Sequence, residues 1–254
     1  MKKLIFYLLI FMELSMAKEL EIKTDDGFIL KGFLEYPVIE EEKYPLVIFV
    51  HQFGTTHRIW TDFARECRER GFATLLIDLR GHGLSVVQDG KENKIIFPKN
   101  EEFSLIDLIA AFKKSAKKVN FRKIPEDISL WINFVLDNEK KLDKDRIYLI
   151  GASLGGISII PVLNYNSIKG LVSISPGTPA IVGEENVKLA LATYENPILF
   201  IASDEDPIGS GKIVLKLLKE SLNGEVFLLK GKGHGVILLD KVKNYIFTYL
   251  NENR

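Results

Sequence analysis

Short, almost continuous apolar runs recur along the chain, separated by longer stretches in which apolar residues return every third or fourth position. Pro45–Val50, Ala73–Ile77, Arg146–Ile150, Ile168–Ile174 and Asn196–Ala202 are runs of the first kind, the pattern of strands covered on both faces. Glu225–Leu229 reads as one more strand, and Glu19–Pro37 as a two-stranded start that turns at Asp25-Asp26-Gly27. Helical stripes lie between them. Ile128, Trp131, Ile132, Val135 and Leu136 mark a helix over Pro125–Glu139. Val214, Leu217, Leu218 and Leu222 mark one over Gly209–Leu222, and Leu238, Val242, Tyr245, Ile246 and Tyr249 a closing helix over Ile237–Asn251. His57–Arg70 is a further helix, stopped by Gly71. Strands alternating with helices predict an α/β fold, a mainly parallel central sheet with helices on both faces. Neither repeats nor a linker interrupt residues 18–254, so they read as one domain.

The least regular portion is Val86–Lys123. A charged loop, Asp89–Lys94, is followed by Ile95-Ile96-Phe97-Pro98 and by a helix over Ser104–Lys118 with Leu105, Leu108, Ile109 and Phe112 on one face. This is either a surface helix with a solvated, Lys-rich end or a flap over a pocket, since the segment leaves the sheet at a strand's carboxyl end.

Composition narrows the picture. The 254 residues are 46% hydrophobic and 27% charged, with 34 basic and 34 acidic side chains. A formal charge of zero gives no electrostatic case for nucleic acid. One cysteine, Cys67, excludes an intrachain disulfide, and its helical spacing with Trp60, Phe63 and Ala64 places it in the core. Lys2 and Lys3, the apolar run Leu4–Met12 and the small-x-small site Ser15-Met16-Ala17 form a secretory signal over residues 1–17, cleaved for export to the periplasm or beyond. The alternative is an uncleaved anchor, although the run is too short for a stable bilayer span.

The chemistry concentrates where predicted strands end. Gly151-Ala152-Ser153-Leu154-Gly155 follows an apolar strand and opens a helix, the form of a nucleophile elbow. Such a turn strains the serine backbone, and glycines two positions either side remove side chains that would collide with neighbouring backbone. Three other polar stretches end strands: Gln52-Phe53, Asp204–Asp206 and His234. A serine needs a base to become a nucleophile, histidine is the usual one, and a carboxylate fixes the imidazole tautomer.

These stretches resemble the α/β-hydrolase superfamily, in particular its small esterase, dienelactone-hydrolase-like and serine-aminopeptidase-like members. The resemblance covers nearly all of residues 19–254. His51-Gln52-Phe53-Gly54 resembles the oxyanion loop, and Asp78-Leu79-Arg80-Gly81-His82-Gly83-Leu84-Ser85 the Asp-x-Arg-Gly-x-Gly-x-Ser turn. Ser203-Asp204-Glu205-Asp206-Pro207 resembles the acid loop, and Gly233-His234-Gly235 the histidine loop. The resemblance implies a triad of Ser153, His234 and an aspartate, with Asp206 favoured over Asp204. It implies oxyanion donors in the backbone N–H groups of Phe53 and Leu154, and neither cofactor nor metal. His51 and His82 are expected to brace loops, and His57 to help cap a helix. Two departures stand out. Gln52 replaces a glycine of the oxyanion loop, and the elbow carries serine where dienelactone hydrolases proper carry cysteine. The short Ser175–Asn196 connection leaves no room for a large helical cap. The expected activity is hydrolysis of small carboxylic esters through an acyl-enzyme. A peptidase or acyltransferase would use the same triad, and a non-catalytic binding protein is the alternative from another class.

Overall fold

The computed structural model describes residues 17–98 and 102–254; the signal expected over residues 1–17 lies, but for Ala17, outside them. Its centre is the run of strands predicted from the apolar stretches: β3 (Tyr44–Val50), β4 (Ala73–Ile77), β7 (Leu142–Ala152), β8 (Gly170–Ile174), β9 (Ile198–Ser203) and β10 (Gly224–Leu229). These pair in parallel in the order β10-β9-β8-β7-β3-β4. Beyond β4 the sheet turns antiparallel through β2 (Phe28–Glu35), which also pairs with β1 (Lys18–Lys23) and with a small hairpin, β5 (Val87–Gln88) and β6 (Lys91–Glu92). That hairpin carries no apolar pattern, and the sequence does not announce it.

Every residue of β3, β4, β8 and β9 is buried, because helices cover both faces. Successive β3 side chains serve opposite cores. Ile48 and Val50 pack with Trp131, Ile128 and Ile132 of α3 (Ile124–Asn138) and with Val214 and Leu217 of α6 (Ser210–Glu220). Val47 and Phe49 pack with Phe63, Ala64 and Cys67 of α1 (Thr61–Arg68) and with Val242 and Ile246 of α7 (Leu239–Glu252). Cys67 is thus the core thiol expected, and burial pushes its pKa up.

Three expectations change. Leu222 lies beyond the end of α6 and is exposed, so that helix packs through Val214 and Leu217. Tyr245 is exposed on α7 and stacks on Phe227 of the edge strand at 4.7 Å between ring centroids. The helix of the irregular portion, α2 (Leu105–Lys118), buries Ala111 and Ser115, whereas Leu105 and Ile109 face solvent. The Ser115 hydroxyl donates to the Ile96 carbonyl at 3.0 Å and accepts from the Ile96 N–H at 2.8 Å. This polar clamp sets the rotation of the helix, and hydropathy does not reveal it. The Ser175–Asn196 connection carries one helix, α5 (Glu184–Thr193).

Arg80 ties the β1–β2 turn to α3. Its guanidinium is fully buried, donating to both Asp127 oxygens at 2.6 and 2.7 Å and to Asp26 at 2.8 Å. Burial pushes the Asp127 carboxyl up to about 6, against the opposing pull of Arg80. Removing one partner of such a pair strands a charge in a dry interior. Arg80→Leu should lower unfolding free energy by about 3–5 kcal/mol, read from urea denaturation at neutral pH; an unchanged midpoint would mean that the pair does not hold these elements together.

Candidate active site

Ser153 sits between the end of β7 and the start of α4 (Leu154–Ser158) with φ 51° and ψ −110°, a backbone state that costs a non-glycine residue about 1–3 kcal/mol. Its surroundings enforce that state. The Ser153 N–H donates to the Ile174 carbonyl at 2.8 Å, and its own carbonyl accepts from Ile157 and Gly177 at 3.1 and 3.2 Å. A Cβ on Gly151 would lie 2.6 Å from the Gly155 carbonyl, and one on Gly155 would lie 2.3 Å from the Val50 oxygen. The glycines are therefore required by close backbone approach.

The structure brings Ser153, His234 and Asp206 together, although they are 81 and 28 residues apart in pairs. His234 Nε2 is 2.8 Å from Ser153 Oγ, and its Nδ1 is 2.8 Å from Asp206 Oδ2. A proton on Nδ1, donated to Asp206, leaves the Nε2 lone pair to accept from the serine hydroxyl. The Asp206 side chain is fully buried, and its other oxygen accepts the Ile208 N–H at 2.9 Å. Burial alone would raise its pKa; the His234 contact and the Ile208 and Ser210 amides outweigh burial and hold it below the ordinary carboxylate value. Asp204 has a different post. It accepts from Gly231 N–H at 2.8 Å and pairs with Lys230 at 3.1 Å, tying the acid loop to the end of β10.

Among the described residues, the N–H groups of Phe53 and Leu154 donate to no protein acceptor. Leu154 opens α4, where free amides are expected. Phe53 is fixed by its ring, which meets Phe112, Phe97, His82 and Phe121 at centroid distances of 5.1 to 6.0 Å.

Gln52, the departure from glycine in the oxyanion loop, has a defined partner. Its side-chain oxygen accepts the Val236 N–H at 3.2 Å and fills the space above Gly235, where a Cβ would lie only 2.1 Å from that oxygen. It thereby bridges the loop of Phe53 to the loop of His234. Ser203 adds a second bridge, donating to the Gly233 carbonyl at 2.7 Å. Sequence reasoning missed both bridges; the unusual Gln52 was the visible signal for the first.

The other histidines brace loops. His51 is fully buried; its Nδ1–H donates to the Gln52 carbonyl at 2.8 Å, and its Nε2 accepts the Leu79 N–H at 3.0 Å. His82 Nδ1–H donates to the Arg80 carbonyl at 3.0 Å, and its Nε2 is buried with no partner. His57 does not cap the helix as expected, since Thr56 takes that position; its backbone N–H and Nδ1 both contact Asp78 Oδ1, at 2.8 and 2.9 Å.

A cavity of about 520 Å³ adjoins the oxyanion loop, walled by Gly54, Thr55, His82, Ile95, Ile96 and Phe97 among others. That volume suits a small organic ligand. Its lining stops short of Ser153 and His234. Among the described residues, no group of three or more His, Cys, Asp or Glu side chains could hold a metal ion, and no helix is long and apolar enough to cross a membrane.

The sequence of residues 45–196 matches the family model of the alpha/beta hydrolase fold. A search of curated protein sequences gave no match. Similar solved structures include an esterase from Pyrococcus furiosus, with TM-score 0.64, 17% identity, and coverage of 94% of this chain and 92% of that one. The Butyrivibrio proteoclasticus protein Est1E, also solved with ferulic acid bound, gives TM-score 0.62 at 18% identity over 94% of this chain and 99% of that one. An acetyl xylan esterase from a Paenibacillus species gives TM-score 0.66 at 15% identity over 96% and 86%. At these identities the likeness is one of fold.

The buried bracing histidines make stability depend on pH. Burial lowers the pKa of His51 to about 4 and that of His82 to about 3, while an unfolded histidine titrates near 6.5. Below about pH 6.5 the unfolded chain therefore binds more protons than the folded one, and stability falls with pH until the folded values are reached. By pH 4.5 each ring should remove about 2 kcal/mol of stability relative to pH 7. Urea midpoints across that range should fall, and His82→Phe should make the fall shallower; identical slopes in variant and parent would contradict the assignment.

Proposed function

Because the chain belongs to the α/β-hydrolase family, we propose that it is a serine hydrolase acting on small carboxylic esters through an acyl-enzyme. The observation that carries this reading is the unbroken chain from Asp206 through His234 to Ser153, 2.8 Å at each link, beside two backbone N–H groups with no protein acceptor. In the first half-reaction His234 Nε2 takes the Ser153 proton as Oγ attacks the ester carbonyl. Negative charge gathers on the carbonyl oxygen, and the Phe53 and Leu154 N–H groups donate to it; one such donor is worth about 3–4 kcal/mol in the transition state. The imidazolium is stabilised by Asp206, which stays ionised. His234 then returns the proton to the departing alcohol. Water repeats the sequence in reverse, and the acid leaves with Ser153 restored.

Esterase-named structural neighbours favour an ester over a peptide; the cavity next to the loop of Phe53 lies to one side of Ser153 and His234. Segment 86–123 acts as a flap on this reading, since Ile95, Ile96, Phe97 and Lys118 wall that cavity and Phe112 rests on Phe53. The apolar leader over residues 1–17 carries the enzyme to the periplasm or beyond.

On p-nitrophenyl esters of short acids, Ser153→Ala should lower kcat by about 10⁴–10⁶. Asp206→Asn should lower it by about 10⁴, through loss of the tautomer, whereas Asp204→Asn, whose partners are Gly231 and Lys230, should stay within about threefold of the parent. Unchanged turnover in Ser153→Ala, or a reversal of the two aspartates, would overturn these assignments.

A further inference from the structure

The inner face of α2 is fully used. Ser115 is clamped to Ile96, Ala111 is buried, and Phe112 meets Phe53 and Phe121 at 5.1 and 5.3 Å. The outer face is a different surface. Ile106 is 78% exposed and Ile109 also stands open to solvent, whereas the ring of the preceding Phe103 turns back onto Phe97 at 5.5 Å. Helical spacing of three, four and seven residues aligns Ile106 and Ile109 with Lys113 and Lys117, while Ala110 and Lys114 turn toward Ile96–Pro98. These lysines are exposed and without an ion-pair partner among the described residues. The face is therefore apolar along its first half and cationic along its second. Its acidic groups are Asp107, held in the capping box with Ser104, and Glu102 beside it.

Such a face does not serve the catalytic pocket, because it points away from the side that touches Phe53. A second copy of this chain is a poor occupant as well: a two-fold contact would bring two sets of lysines to one interface. A surface that accepts shallow apolar insertion and carries negative charge suits both halves.

We propose that the outer face of α2 is a docking surface for anionic phospholipid membranes. Ile106 and Ile109 enter the boundary between headgroups and acyl chains, while Lys113 and Lys117 reach lipid phosphates. Docking leaves the inner face, and with it Phe53, in place.

The test uses the full chain with vesicles of phosphatidylcholine alone and of phosphatidylcholine with phosphatidylglycerol. The parent should co-sediment with the anionic vesicles, less so as salt rises, and far less with the neutral ones. The double variants Ile106→Asp/Ile109→Asp and Lys113→Glu/Lys117→Glu should each weaken anionic-vesicle binding by about tenfold or more. Both should retain the circular dichroism of the parent and its turnover of a soluble ester, since neither touches the packed face. Equal partitioning of parent and variants would overturn the proposal. So would binding indifferent to lipid charge, or a parent dimer that the Ile106→Asp/Ile109→Asp change dissolves without any effect on vesicles.

Discussion

The crossing of the start of α4 over the carboxyl end of β3 is the constraint on which the site depends. β3 and β7 are paired in register from Leu46 with Ile147 to Val50 with Gly151, and their carboxyl ends then part into the loop of Gln52 and Phe53 and the turn of Ser153. Gly155 approaches the Val50 carbonyl so closely that no side chain fits between them. The same approach sets where α4 begins and where the Leu154 amide lies relative to Phe53. Strain at Ser153 is thus sustained by a sheet buried on both faces, whose packing offsets a local cost of about 1–3 kcal/mol.

Around that crossing, the loops are joined by polar contacts at the carboxyl edge of the sheet. Gln52 reaches the histidine loop, Ser203 reaches Gly233, and Asp204 reaches Gly231. On the other side, His51 accepts from Leu79, and Asp78 gathers the amides of His57 and Leu84. These bonds fix four loops to one another, so the distances at His234 are determined by several loops at once. On the proposed mechanism this is preorganisation: the N–H groups and the imidazole are placed before substrate arrives, so reorganisation adds little to the barrier.

The legibility of the sequence follows from what pattern can encode. Buried strands announce themselves because every residue must be apolar, and the glycines of the elbow because backbone must pass close to backbone. The start of β7 at Leu142 is hidden, since Asp143, Lys144 and Asp145 lie at the exposed amino end of that strand. The orientation of α2 is hidden too. Ser115 is buried there because it satisfies both polar groups of Ile96, while Leu105, Ile106 and Ile109 face out. The apolar stripe read from spacing, Leu105, Leu108, Ile109 and Phe112, is thus split: Phe112 packs on Phe53 while Leu105 and Ile109 are exposed. In the candidate site, the order of Ser153, an aspartate in Asp204–Asp206 and His234 is readable along the chain, with both Asp204 and Asp206 open as the acid. The bridges made by Gln52 and Ser203 are not, because a side-chain contact between distant loops leaves no periodic trace.

The central claim is that Ser153, activated by His234, forms the covalent intermediate. It is tested most directly by treating the protein with a fluorophosphonate and mapping the modified peptide by mass spectrometry. The account predicts one adduct, on Ser153, formed quickly in the parent and at least about a hundredfold more slowly in His234→Ala. An active preparation that hydrolyses esters while remaining unlabelled, or that is labelled at another residue, would contradict it.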